Sequence, residues 1–143
     1  MKKQKISAKT VALMAMMIAL AMIFSYVETM IPINFGIPGV KLGLANLVIV
    51  AAIYLFGGKQ AFLISIVRIF LSGFMFGNLA SIMYSLAGGL LSLAVMLLLK
   101  KTDKLSILAV SVMGGICHNI GQLIVAMLVV ENLKLIFYVP VLL

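Results

Sequence analysis

Apolar residues fill this chain in long blocks, separated by short joints of polar residues or glycine. Five blocks predict membrane helices, over residues 10–27, 42–56, 60–76, 79–99 and 105–130. Gly57-Gly58 stops the second block, the basic run Lys100-Lys101-Thr102-Asp103-Lys104 the fourth, and Glu131-Asn132 the fifth. A helix needs about 20 apolar residues to cross the hydrocarbon of a bilayer. The second block is short for that task. The last apolar piece, residues 135–143, is far too short, so it reads as a sixth helix cut off and the sequence as a piece of a longer chain. The expected fold is an all-α polytopic membrane helical bundle of five spans plus a truncated sixth. It forms one integral membrane domain over residues 1–143, incomplete at its C-terminal end.

Composition strengthens this reading. Of 143 residues, 65% are hydrophobic, against about 45–50% in a soluble domain. A soluble fold of this size could not hide the excess, and lipid is its simplest solvent. The N-terminal MKKQKISAK is basic and leads into an apolar run, as in a signal peptide. The run is too long for one and lacks a clear cleavage site, so it is expected to remain as the first helix.

The net charge of +8, from 11 Lys and Arg against 3 Asp and Glu, sets the topology. With the N-terminus in the cytoplasm, the inside holds Lys2, Lys3, Lys5, Lys9, Lys59, Lys100, Lys101 and Lys104. The outside holds only Lys41 and Lys134. Positive residues concentrate on the cytoplasmic side, so this orientation in the cell membrane is expected. The lysines mark helix ends rather than one continuous patch, which argues against nucleic acid as a partner. Cys117, the only cysteine, allows neither an intrachain disulfide nor a thiolate metal cluster, and reads as a small buried thiol.

Arg68 then becomes the most informative residue. It is the only arginine, and it sits at the middle of the third block. An arginine at that depth costs at least about 2.5–3.5 kcal/mol on insertion scales, so it calls for an anionic partner, a wet cavity or a substrate. By the same topology His118 lies near the midplane of the fifth block, with Asn119 and Gln122 level with it and outward. Asn46 stands near the outer end of the second block and Lys41 guards that end. Asn78 marks the outer end of the fourth, with Ser81, Tyr84 and Ser85 just below. His118 and Gln122 are four apart and Asn119 and Gln122 three apart, so each pair shares a helix face; Ser65, Arg68 and Ser72 form a second polar stripe. Such residues often serve only as polar glue between membrane helices, and the serines are read that way. Arg68 with His118 and Gln122 is read as a binding site open to the outside.

No acid inside the blocks neutralises Arg68; Glu28 at the outer end of the first could reach it, and otherwise a carboxylate or phosphate on a ligand would. Lys41 would add a second positive charge. The long joint over residues 28–41, with Pro32, Pro38, Gly36 and Gly39, reads as an irregular lid over the site. On the first block Ala8, Ala12, Ala15 and Ala19 recur at helical spacing, beside Met14, Met16 and Met17. Small residues so placed let another helix approach closely, which fits docking of a partner subunit. Gly88-Gly89 and Gly114-Gly115 read as close helix contacts within the bundle. Classical catalysis finds little support. The single histidine has no carboxylate near it in sequence, no phosphate loop is present, and no cluster of metal ligands exists, so no metal and no cofactor are expected and the chain reads as a non-enzyme.

Four stretches together resemble one known family. They are Pro38-Gly39-Val40-Lys41-Leu42-Gly43-Leu44-Ala45-Asn46, Arg68 with Leu71-Ser72-Gly73, Tyr84-Ser85-Leu86-Ala87-Gly88-Gly89, and His118-Asn119-Ile120-Gly121-Gln122. The chain resembles the Gx transporter family, also called heptaprenyl diphosphate synthase component I, and is similar to the substrate-binding S components of energy-coupling factor (ECF) transporters. The resemblance implies six helices, a substrate pocket in the outer half and a gate in the first loop. It also implies a first helix whose alanines dock on a transmembrane coupling subunit driven by two ATPases. The ligand would be a small, vitamin- or cofactor-like anion, held by Arg68 and Lys41 and hydrogen-bonded by Asn46, Asn78, Tyr84, His118, Asn119 and Gln122. The family's other name implies an alternative, a membrane accessory component of heptaprenyl diphosphate or quinone synthesis. Prenyl diphosphate synthases hold magnesium and diphosphate with Asp-rich motifs; Asp103 is the only Asp here, so the chain would not be their catalytic subunit.

Overall fold

The computed structural model describes residues 6–31, 43–131, 134 and 136. Its five helices are α1 (Ala8–Met30), α2 (Asn46–Phe56), α3 (Gly58–Phe76), α4 (Leu79–Lys101) and α5 (Ile107–Val130), and the described residues include no strand. Side-chain caps fix three of the starts. Ser7 accepts from Thr10 N–H, Asn78 from Ser81 N–H and Ser106 from Ala109 N–H, each satisfying a donor that the first turn leaves open. At Gly57, φ is 92°, a left-handed conformation that suits glycine and lets α2 turn sharply into α3.

Four of the helices are long and apolar enough to cross a membrane, and α2 is not. The chain is therefore a multi-pass, all-helical membrane protein in which one element spans only part of the depth. The block at 42–56 becomes helical only from Asn46. Gly43 takes φ 84°, and a turn through Leu44 and Ala45 follows, with Asn46 N–H donating to Gly43 O at 2.8 Å. The 11 residues of α2 rise only about 16 Å. Lys41, most of the expected lid and most of the expected sixth helix lie outside the described residues.

Short as it is, α2 is the hub. It packs against each of the other four helices, while α1, α3, α4 and α5 follow one another around it in that order. Among the described residues α1 and α5 do not pack together, so the ring is open between them. The end carrying Lys59, Lys100 and Lys101 is here called the basic end. There Lys100 Nζ donates to Ile53 O at 2.7 Å and lies 4.8 Å from the centre of the Tyr54 ring, closing the last turn of α2. The apolar core fills this half of the bundle, with Ile49, Ile53, Ala61, Ile64, Leu93, Met96 and Val110 packed together. The tightest seam joins α4 to α5. A methyl group on Gly121 would lie 2.8 Å from Gly88 Cα, and one on Gly88 would lie 2.5 Å from His118 O.

Candidate functional site

Polar side chains gather above the start of α2, where the apolar core ends. Asn46, the first residue of that helix, is buried; its Oδ1 accepts from Ser92 Oγ at 3.0 Å, and its Nδ2 lies 3.9 Å from Met96 Sδ. Ser92 is nine residues from the end of α4 at Lys101 and thirteen from its start at Leu79. The outer end of α2 is thus at mid-depth, below the level that the block length implied for Asn46.

One turn above Ser92, three helices meet in a common layer. A methyl on Gly89 would touch Ile69, the neighbour of Arg68, and one on Gly88 would touch His118. Residues 68, 88 and 118 therefore share a depth. Arg68 is only 3% exposed, and its Nε and Nη2 have no hydrogen-bond partner among the described residues. His118 is also buried, and Gln122, one turn further along α5, donates from Nε2 to His118 Nε2 at 3.0 Å. Tyr84, Ser85 and Asn119 are buried on the same two helices, α4 and α5. Arg68 and His118 stand on α3 and α5, which do not pack on each other among the described residues; α2 and α4 lie between them.

The chain leading into α2 closes this layer from one side. A methyl on Gly43 would lie 2.8 Å from His118 Cδ2, so the ring sits against bare backbone. The next residue, Leu44, donates its N–H to Glu28 Oε1 at 2.6 Å. Glu28 is buried near the end of α1 and is within electrostatic reach of the Arg68 guanidinium. Glu28 is thus buried at the end of its helix, with a backbone amide as one of its partners. This link between α1 and the turn before α2 has no sequence signature, because its donor is main chain.

The remaining expected site residues divide. Asn78 is exposed and its Oδ1 accepts from Ser81 N–H at 2.8 Å, so it caps α4. Lys41 lies outside the described residues. Of the serines, Ser72 Oγ donates to Ile69 O within its own helix, and Ser92 Oγ donates across helices to Asn46. Ser92 was not singled out from sequence, though its spacing of seven from Ser85 puts it on the same helix face. Among the described residues no group of three or more His, Cys, Asp or Glu could hold a metal ion.

On the outside of the bundle, Ala8, Ala12, Ala15 and Ala19 are exposed, whereas α1 buries Met14, Ala21, Ser25 and Glu28 on its other side. Beside the alanines runs an apolar groove of about 710 Å³, lined by residues that include Leu13, Met16, Leu20, Leu55 and Phe56.

Comparison with known families gives a match to heptaprenyl diphosphate synthase component I over residues 17–143. No curated protein and no solved structure matches the chain.

Proposed function

Starting from a chain that belongs to the heptaprenyl diphosphate synthase component I family, we propose that it is the substrate-binding membrane subunit of an ECF-type importer for a small anionic molecule of the vitamin or cofactor kind. The observation that carries this reading is Arg68, a buried guanidinium with two nitrogens that no described residue bonds. A buried charge left so is costly, and an anionic ligand group is the partner that would repay it. Tyr84, Asn119, Gln122 and His118 line the same half of the bundle and would hydrogen-bond the rest of the ligand, with Asn46 at the floor. Lys41 would add a second cation, and the joint over residues 28–41 would serve as the lid. Asn78 would act through the start of α4 rather than by direct contact.

Binding in this reading is non-covalent and the chain is not an enzyme. Energy would come from ATP hydrolysed on partner chains, reached through a coupling subunit docked on Ala8, Ala12, Ala15 and Ala19. The N-terminus would lie in the cytoplasm, a placement the lysine distribution supports.

The family's description supports a second reading, in which the chain is a non-catalytic accessory component of heptaprenyl diphosphate or quinone synthesis. A diphosphate is also an anion that Arg68 would suit. Co-purification from native membranes separates the two. ATPase and coupling subunits favour the importer, and a prenyltransferase favours the accessory role. Native mass spectrometry of gently extracted wild type and Arg68→Ala tests the site itself. A small molecule held by the first and lost from the second supports it, and a folded mutant that keeps the molecule overturns it.

A further inference from the structure

We propose that Ser25 of α1 is a ligand-contacting residue, its hydroxyl donating a hydrogen bond to the anionic group that Arg68 holds; this rests on the anion-binding reading above. Ser25 is fully buried, and its Oγ has no hydrogen-bond partner among the described residues. A hydroxyl hidden in that way is costly. Serines in helices commonly relieve the cost by donating to a carbonyl three or four residues back, as Ser72 does to Ile69 O. Ser25 makes no such bond. Arg68 on α3 is in the same state, buried with Nε and Nη2 unbonded by any described residue. Two packed helices thus each bring an unsatisfied donor into the bundle, and an oxyanion is a group that accepts from both.

Contacts on either side of Ser25 place it level with the polar layer. One turn before it on α1, Ala21 packs with Ala45 and Val48. Three residues after it, Glu28 Oε1 accepts from Leu44 N–H. Ser25 is therefore level with the turn through Leu44 and Ala45, next to Gly43, which sits against the His118 ring. Arg68 comes to this level from α3. Both α1 and α3 run opposite to α2, so they run side by side in one direction and pack together. Met14 of α1 shares the apolar core with Ala61 and Ile64 of α3, and nearer the other end the Tyr26 and Phe76 rings lie 5.0 Å apart between centres. Ser25 and Arg68 both fall between those two contacts. On α3, Arg68 continues the face of Ala61 and Ile64; on α1, Ser25 continues the buried face of Met14 and Ala21. Because the hydroxyl brings a donor and no charge, its role does not depend on how Arg68, Glu28 and Lys41 balance one another.

The test is calorimetric titration of benzoate, ionised at neutral pH, into the full chain in lipid nanodiscs, paired with the thermal midpoint of the ligand-free protein. Ser25→Ala removes the hydroxyl and suits a helix. Its Kd for benzoate should rise by about tenfold, the worth of one hydrogen bond to a charged group. Its midpoint should hold or rise, because an unsatisfied buried hydroxyl is gone. A hydroxyl that only packs, or holds a structural water, gives the opposite pattern, a lower midpoint with the Kd unchanged. An unchanged Kd in Ser25→Ala, with binding still abolished by Arg68→Ala, overturns the proposal and leaves the anion site standing. A weaker Kd together with a lower midpoint also overturns it, since loosening of the bundle then explains both. No binding by wild type, or binding that survives Arg68→Ala, overturns this role of Ser25 and the anion site together.

Discussion

Arg68 reaches the interior from the middle of α3, and what it recognises there depends on the shape of its charge as well as its sign. A guanidinium can bind a carboxylate or phosphate through two parallel hydrogen bonds, whereas an ammonium offers a compact point charge. Arg68→Lys should therefore retain a native anionic ligand more weakly than wild type, by about tenfold or more in Kd, and Arg68→Ala should lose it; ligand occupancy by native mass spectrometry reads both. Glycines give a sharper contrast. Gly114 and Gly115 are adjacent and looked alike in the sequence, as close helix contacts. A methyl on Gly114 would collide with Met96 Sδ, yet one on Gly115 would meet nothing within 4 Å. At Gly88 the obstacle is the main-chain oxygen of His118, which cannot swing aside. Gly88→Ala should push α4 from α5 and cost about 1–3 kcal/mol, and Gly115→Ala should leave the thermal midpoint in detergent nearly unchanged. Sequence named the polar residues of the layer because buried Arg, His, Asn and Gln stand out against an apolar background. It could not show that Asn78 is spent on a cap, nor that Glu28 finds the amide of Leu44, since both depend on main-chain groups.

Among the elements, α2 departs most from its sequence pattern and organises the rest. Two of its features were readable: the stop at Gly57-Gly58 and the short length. Its true start was not, because the apolar pattern continues through Leu42, Leu44 and Ala45 while the left-handed Gly43 breaks the helix. Its far end depends on a residue from another helix. Lys100 reads as a stop signal facing the cytoplasm, but its Nζ also closes the last turn of α2 on Ile53 O and covers the Tyr54 ring. Removing that bond and the cation at the helix C-terminus should cost about 1 kcal/mol. We expect Lys100→Met to lower the thermal midpoint and speed amide exchange in the last turn of α2. Lys104→Met, which removes an exposed lysine beyond α4, should do neither. Equal effects of the two substitutions would make the contribution of Lys100 one of general charge.

In the whole molecule, the four long helices form an arc around α2, and α1 stands at one open end. Its buried side carries Met14, Ala21, Ser25 and Glu28, so the helix already has its inward face fixed by the bundle. The alanines at 8, 12, 15 and 19 are left on the outside, beside an apolar groove. Facing lipid alone, alanine gains nothing over leucine there. Facing another helix, it permits a close approach that a larger side chain forbids. These alternatives respond differently to Ala12→Leu and Ala15→Leu. If the face meets a coupling subunit, both substitutions should abolish its co-purification and stop uptake in cells. The variant chain would still fold and keep its bound anion, because neither residue touches the polar layer. If the face meets only lipid, partners, uptake and ligand should all match wild type. Loss of the ligand together with the partner would place the alanines in the packing of the bundle itself. Pull-down of the full complex, paired with native mass spectrometry of the isolated subunit, separates the three outcomes, because one reads assembly and the other reads the site.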